Sequence, residues 1–274
     1  MKVKKALISM LLVCGIIMTA CGASKAAGAA KGTGKYLKVG VRENLNKFSV
    51  YNEDADTFYG FEADVARQLA LELGFDGVSY VGVVADDREA ALADGSADCI
   101  IAAYSWTADR AEKYELSEPY FYDSGRVMIE KSTLFTDYKD LEGCRVAVHS
   151  GTSAAGALAK KLKNDGLINA DSDAELKKFL NIVEYSSYDE MNAALETGEV
   201  DALCADGCIS LPWMNDERTY FKEAYSEENY CIAANKGSAL ISDVNAAIGT
   251  LKENGTIDRL IAKWDLGEQT DGEK

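Results

Sequence analysis

The stretch VGVRENLNKF, residues 39–48, runs from an apolar strand into a polar loop, and its first polar side chain is Arg42. In a chain with a formal net charge of −16, that arginine has two competing readings: a solvated loop charge, or a cation aimed at an anionic ligand. A second stretch, HSGTS at residues 149–153, puts Gly151, Thr152 and Ser153 at an expected strand-to-helix turn. Free backbone N–H groups and the helix dipole favour an anion there, although the same residues also make an ordinary N-cap. His149 is the only histidine. Its plain role is a strand-end residue near a cleft, because the sequence offers no orienting third residue for a Cys–His nucleophile and no paired acid and base. These residue types suit binding better than bond-making, and the chain is expected not to be an enzyme.

The N-terminus has a different purpose. Lys2, Lys4 and Lys5 precede an apolar run from Ala6 to Met18 and then small residues before Cys21, the layout of an export signal over residues 1–20. MTAC, residues 18–21, resembles the lipobox of bacterial lipoproteins, which implies a lipid (palmitate among its chains) on Cys21 and a location outside the cytoplasmic membrane. The apolar run is short of the ~20 residues a spanning helix needs. Residues 21–35 are then a lipidated Cys and a flexible tether built of Gly, Ala, Ser, Thr and Lys, and residues 268–274 are a charged tail expected to be disordered.

Loss of residues 1–20, which hold three lysines and no acid, takes the net charge from −16 to −19. Nucleic acid and anionic membrane surfaces are bound by clustered Lys and Arg, so both are excluded as partners; contact with the membrane runs through the lipid alone. Cys99, Cys144, Cys204, Cys208 and Cys231 remain, an odd number that leaves at least one thiol unpaired within the chain. Cys204 and Cys208 lack a second ligand pair or a nearby His, so no metal site is expected, and nothing calls for a cofactor. No oligomer signal is present, and the protein is expected to be a monomer.

Strand-length apolar runs alternate with segments of helical period. YLKVGV, VSYVGVV and ADCIIAAY read as strands, with GFEADVARQLALELG and DREAALADG as helices between them; Phe61, Val65, Leu69 and Leu73 share a helical face. The pattern restarts with CRVAVHS, SAAGALAKKLKNDG, FLNIVEYSS, YDEMNAALETG and VDALCAD, and ends in a helical pair closing at LIAKWDLG. Such alternation predicts α/β units with mostly parallel sheets. Two blocks with two crossings predict a discontinuous first lobe, residues 36–124 plus 231–267, with lobe 2, residues 125–230, inserted in it and a ligand cleft between them.

Four stretches in order carry a family resemblance. GFEADVARQLA (60–70), DGSADCIIAAYSWTADRAEKYELSEPY (94–120), HSGTS (149–153) and YDEMNAALETGEVDALCAD (188–206) resemble the family-3 bacterial extracellular solute-binding proteins of polar amino acid ABC transporters. The second piece holds both the T-x-x-R and the x-S-x-P-Y patterns, with Leu116 in place of the family's Phe. The resemblance implies a two-lobed periplasmic-binding-protein-like II fold, each lobe a sheet flanked by helices and joined by two hinge strands. It implies that Arg110 clamps an α-carboxylate, with Ser105 and the backbone at Ala103 adding hydrogen bonds, and that Asp206 takes the α-ammonium. Tyr188 is implied to reach the ligand from lobe 2 beside Gly151, Thr152 and Ser153.

The first loop resembles that of glutamate and aspartate receptors, which carry Arg or Lys at the place of Arg42. Arg88 matches a second arginine of that subgroup, or else is a solvated helix residue partnered by Asp86 and Glu89. On this reading the ligand is a free acidic amino acid, delivered to the permease of an ABC importer after hinge closure about residues 122–125 and 229–233. Ala102 and Ala103 replace the Ser or Thr of many members, and ENLNK replaces the usual first-loop proline and acid. Glutamine or asparagine therefore stays open as the ligand. A secreted dehydratase or a sensory receptor on the same fold is the remaining alternative.

Overall fold

In the computed structural model, which describes residues 34–267, the chain enters through β1 (Tyr36–Arg42). The expected signal peptide, Cys21 and its lipid, the tether up to residue 33 and the tail lie outside the described residues. Leu37, Val39 and Val41 of β1 are fully buried, the β-branched and aliphatic types that suit a pleated, covered surface. A small antiparallel meander follows: β2 (Asn44–Leu45), β3 (Ser49–Asn52) and β4 (Thr57–Tyr59). The chain continues through α1 (Phe61–Glu72), β5 (Gly77–Val83), α2 (Ala90–Ala93), β6 (Cys99–Ile100), α3 (Ala108–Lys113) and β7 (Tyr114–Leu116).

β8 (Phe121–Glu130) carries the chain into a second sheet, built with β9 (Arg145–His149), α4 (Ala154–Asn164), α5 (Asp173–Phe179), β10 (Asn181–Tyr185), α6 (Tyr188–Glu196), β11 (Ala202–Asp206), α7 (Gly207–Ser210) and β12 (Arg218–Tyr220). The return is made by β13 (Ser226–Tyr230), which pairs antiparallel with the start of β8 from Ser226↔Gly125 to Tyr230↔Phe121. β14 (Ala233–Asn235), α8 (Leu240–Glu253) and α9 (Thr256–Lys263) then complete the first lobe.

Strand order is β5-β1-β6-β14-β7 in the first sheet and β10-β9-β11-β8-β12 in the second. Both sheets are mixed, less parallel than the strand–helix alternation implies. The β5-β1-β6 and β10-β9-β11 ladders are parallel, whereas β14 and β8 bring in antiparallel pairs. A strand that comes back from the other lobe enters its sheet from the opposite end, so it must run against its neighbours.

Helix α1 is the main prop of the first lobe. Phe61, Val65 and Leu69 are fully buried on one face, each stabilising by about 1.5–3 kcal/mol, and Gly74 at φ 77° stops the helix. Its first N–H groups are satisfied by the turn between β2 and β3: Phe61 N–H donates to the Lys47 carbonyl and Glu62 N–H to that of Phe48, both at 2.8 Å. Gly60 makes that approach possible, since a Cβ there would lie 2.2 Å from the Phe48 oxygen.

Two elements are shorter than their sequence spans suggest: the DREAALADG helix forms only at Ala90–Ala93 and the ADCIIAAY strand only at Cys99–Ile100. The strand ends because the backbone turns left-handed at Ala103, φ 46°, and its N–H leaves the ladder for the Glu62 carboxylate. The meander and α5 were not anticipated. α5 buries only Leu176, too thin an apolar stripe to register as a helical period. Among the described residues the five cysteines are unpaired, and no helix is long and apolar enough to cross a membrane.

Candidate functional site

The parallel strands β1 and β6, β9 and β11 all end at the groove between the two sheets, where backbone N–H groups and loop side chains converge. Arg42 is the last residue of β1, paired with Val83, so it belongs to the strand rather than to the loop. Its side chain is only 2 % exposed. Among the described residues its guanidinium makes no hydrogen bond and no ion pair, and its Nε is buried without a partner.

Arg88 and Arg110 flank one ring. Tyr104, fully buried, has the Arg110 guanidinium 4.0 Å from its ring centroid and that of Arg88 at 4.7 Å, while its hydroxyl donates to Glu89 at 3.0 Å. Cation–π contact fixes both cations against one plate. Arg110 sits in α3, where Thr107 caps its N–H, and its Nη1 donates to the Ser105 carbonyl at 2.8 Å. Arg88 lies before α2 and is buried, so it is not a solvated helix residue. Its Nη1 donates to the carbonyls of Ala102 at 2.8 Å and Ala103 at 3.2 Å, and its Nη2 to that of Gly151 at 3.2 Å. Burial, then the neighbouring Arg110 and Arg42, pull the Arg88 guanidinium down to about 10, which leaves it charged at neutral pH.

The second wall comes from lobe 2. His149 ends β9, and its ring lies 4.3 Å from that of Tyr188, the first residue of α6. Its Nδ1 donates to the Ser150 carbonyl at 2.7 Å. Burial, reinforced by Arg42 and Arg88, lowers its basicity against the pull of that carbonyl, which favours the neutral ring with Nε2 as its acceptor nitrogen. The Thr152 hydroxyl donates to the His149 carbonyl at 2.7 Å. Ser153 occupies the N-cap of α4 without a side-chain cap, which leaves N–H groups of the first turn available to an anion.

Asp206 ends β11 and accepts the Tyr230 hydroxyl. Glu228 and Asp123 are direct cross-strand partners on β13 and β8. Burial first, then Glu228 and Asp123, push the Asp206 carboxyl well above its ordinary range. Like charges held this way at the lobe crossing are relieved by a cation.

Arg42, Arg88, Ala103, Ser105, Arg110, Thr152, Ser153, Tyr188 and Asp206 line one cavity, about 380 Å³ with its open mouth included. His149, Ala154, Cys204 and Ala205 complete the lining. Gly151 stands apart from it and instead meets the opposite lobe: a Cβ on it would lie 2.6 Å from the Ala85 backbone. Nearby, Ser150 Oγ donates to Asp86 Oδ2 at 2.6 Å, so the two lobes touch across the cleft.

Sequence reasoning passed over Tyr104, the wall role of His149, and the acids Glu62, Asp123 and Glu228. For Glu62 a signal was available: it is in helical phase with Ala66 and Leu69 on α1, and an acid on an apolar face is either paired or functional.

Two α/β lobes joined by paired crossing strands around a polar cleft are the architecture of a solute-binding protein. The comparisons with known proteins place it: residues 37–268 match the model of the bacterial extracellular solute-binding proteins, family 3, and the chain belongs to that family. The ABC transporter glutamine-binding protein GlnH of Bacillus subtilis (strain 168) is 26% identical over 277 residues, covering 94% of this chain and 95% of its own. The arginine-binding extracellular protein ArtP of the same organism is 25% identical over 271 residues, covering 97% and 100%. Among solved structures, an ancestral arginine-binding protein bound to arginine superposes with a TM-score of 0.70 at 26% identity, over 84% of this chain and 97% of that one.

Proposed function

We propose that this protein is the extracytoplasmic receptor of an amino acid ABC importer, and that its ligand is an acidic amino acid, glutamate or aspartate. The buried Arg42 guanidinium, without a partner among the described residues and open to the cavity, carries this reading. A buried charge without a counter-ion costs several kcal/mol, and a ligand side-chain carboxylate is its natural complement.

The roles follow from position. Arg110 and Ser105, with the backbone at Ala103, hold the α-carboxylate, for which a guanidinium offers a two-pronged, charge-assisted grip. Asp206 takes the α-ammonium, which relieves the crowding of acids at the crossing. Arg42 and Arg88 face the side-chain carboxylate, and Thr152, Ser153 and Tyr188 cover it from lobe 2, next to Gly151. Ligand docks on lobe 1 first, and the lobes shut about β8 and β13 near Tyr122–Gly125 and Asn229–Ala233. The closed form is what the permease reads. The protein acts as a monomer, held to the membrane through lipid on Cys21, and captures its ligand without chemical change.

A second reading, a neutral amide such as glutamine, is favoured by the relative named as a glutamine-binding protein; an arginine can also donate to an amide oxygen. A thermal-shift panel of the twenty amino acids on the unlipidated mature protein separates the two. Saturation at 100 times Kd stabilises by ~2.7 kcal/mol, a shift of several degrees at this size. Glutamate or aspartate giving the large shift, with glutamine giving little, is the expected result. A shift with glutamine alone reassigns the ligand, and no shift with any amino acid ends the amino-acid reading.

A further inference from the structure

Tyr104 is fully buried and is not among the residues that line the cavity, yet two that do line it rest on its ring. The Arg110 guanidinium lies 4.0 Å and the Arg88 guanidinium 4.7 Å from the ring centroid. Two like charges held near one point repel, and the negative face of the ring offsets part of that cost. Both arginines also grip the backbone on either side of this residue: Arg88 Nη1 donates to the carbonyls of Ala102 and Ala103, and Arg110 Nη1 to that of Ser105. The ring itself cannot drift. Its hydroxyl donates to Glu89 Oε1 at 3.0 Å, and the Tyr114 ring meets it edge-on, 6.4 Å between centroids and 83° between planes. The Tyr104 carbonyl accepts the Cys231 N–H at 2.9 Å, which ties the residue to the strand returning from lobe 2.

We infer that Tyr104 is a positioning residue that sets the length of ligand the site accepts. Its ring fixes the separation of Arg110, which takes the α-carboxylate, from Arg88, which faces the side-chain carboxylate, so the site fits one of the two acidic amino acids and disfavours the other. This inference rests on the roles given to Arg110 and Arg88 above. Glutamate and aspartate carry the same charges and differ by one methylene, so charge does not separate them and the spacing of the cations does. Without the plate, both guanidiniums would swing on their flexible stems to meet either length.

The test is calorimetric titration of L-glutamate and L-aspartate into the unlipidated mature protein and its Y104L, Y104M and Y104F variants. The native protein prefers one of the two by roughly tenfold or more, the weight of one methylene in a fitted site. Native affinities within about threefold of each other overturn the inference. Y104L removes the plate, and the preference shrinks on the order of tenfold, a weight between that of an exposed and of a desolvated cation–π contact. A merely structural role weakens both ligands in proportion, so an unchanged ratio in Y104L overturns the inference. Should Y104L not fold, Y104M, whose flexible thioether fills the gap, decides by the same criterion. Y104F keeps the ring and drops only the hydroxyl, and its ratio stays within about threefold of the native one. A larger change in Y104F assigns the spacing to the Glu89 contact rather than to the ring and overturns the inference. A native protein that binds glutamine but neither acid fails the reading of the side-chain end and takes the inference with it, whereas a native preference between the acids that survives in Y104L fails the inference alone.

Discussion

A single guanidinium separates the two ligand readings. Arg42 is held at the end of a buried strand with no hydrogen bond or ion pair to its guanidinium among the described residues, whereas Arg88 spends its donors on three carbonyls and Arg110 on one. The Arg42→Ala variant therefore loses ~2–5 kcal/mol of binding energy for glutamate or aspartate, the usual cost of deleting one partner of a buried charge pair. It loses much less for glutamine, and titration calorimetry with both ligands reads the difference. Equal losses for the two would remove Arg42 as a reader of charge. Tyr104 shows what residue types alone conceal: it is a buried aromatic by pattern, yet its ring sets the spacing of two cations of the site.

At the level of elements, α1 is held at its first turn from two sides. The turn between β2 and β3 caps its N-terminus, and the side chain of Asp64 ties it to the last helix, accepting from Lys263 Nζ at 2.6 Å, from Trp264 Nε1 at 2.7 Å and from Arg67. Burial raises the Asp64 carboxyl, but those three donors outweigh it and hold the group below its ordinary value. An acid depressed in the folded state contributes stability that is fully present above its unfolded value of ~3.9 and is lost as the pH falls through the lower folded value. Asp64→Asn is thus expected to cost about 1–3 kcal/mol at pH 7 and to approach the wild type as the pH drops below both values. Thermal melts of the pair at pH 7 and in strong acid check this; a gap that persists in acid would assign the loss to packing.

On the proposed reading, the whole molecule works by the approach of one lobe to the other. Gly151 is a point of close approach between the lobes, with its φ at 68° and the Ala85 backbone within 2.6 Å of any added Cβ. Gly151→Ala must hold the lobes apart by tenths of an ångström or more, so it weakens every amino acid ligand alike, by about tenfold or more, equivalent to ~1.4 kcal/mol. Ligand-free stability changes only by the ~1–2 kcal/mol of a left-handed alanine. Small-angle scattering with and without saturating ligand is the check, the variant showing a smaller contraction than the wild type. An undiminished contraction with native affinity would place the point of closure elsewhere.

Much of this was legible in the chain itself. Period-two and helical apolar patterns located β1, α1, β9 and α6, because burial on one face writes its repeat directly into the order of residues. The residue types at 42, 88, 110 and 206 set the expectation of a ligand with charges of both signs. Only the tertiary structure decided which of those charges remain free. Arg88 meets Gly151 across 63 positions of sequence, Glu62 meets Ala103 across 41, and Tyr230 meets Asp206 across 24. Charge compensation is a property of distance in space, and the low dielectric of a buried cleft gives it weight; neither is carried by local sequence, so the contact of Gly151 with the opposite lobe emerged only once the two lobes were folded against each other.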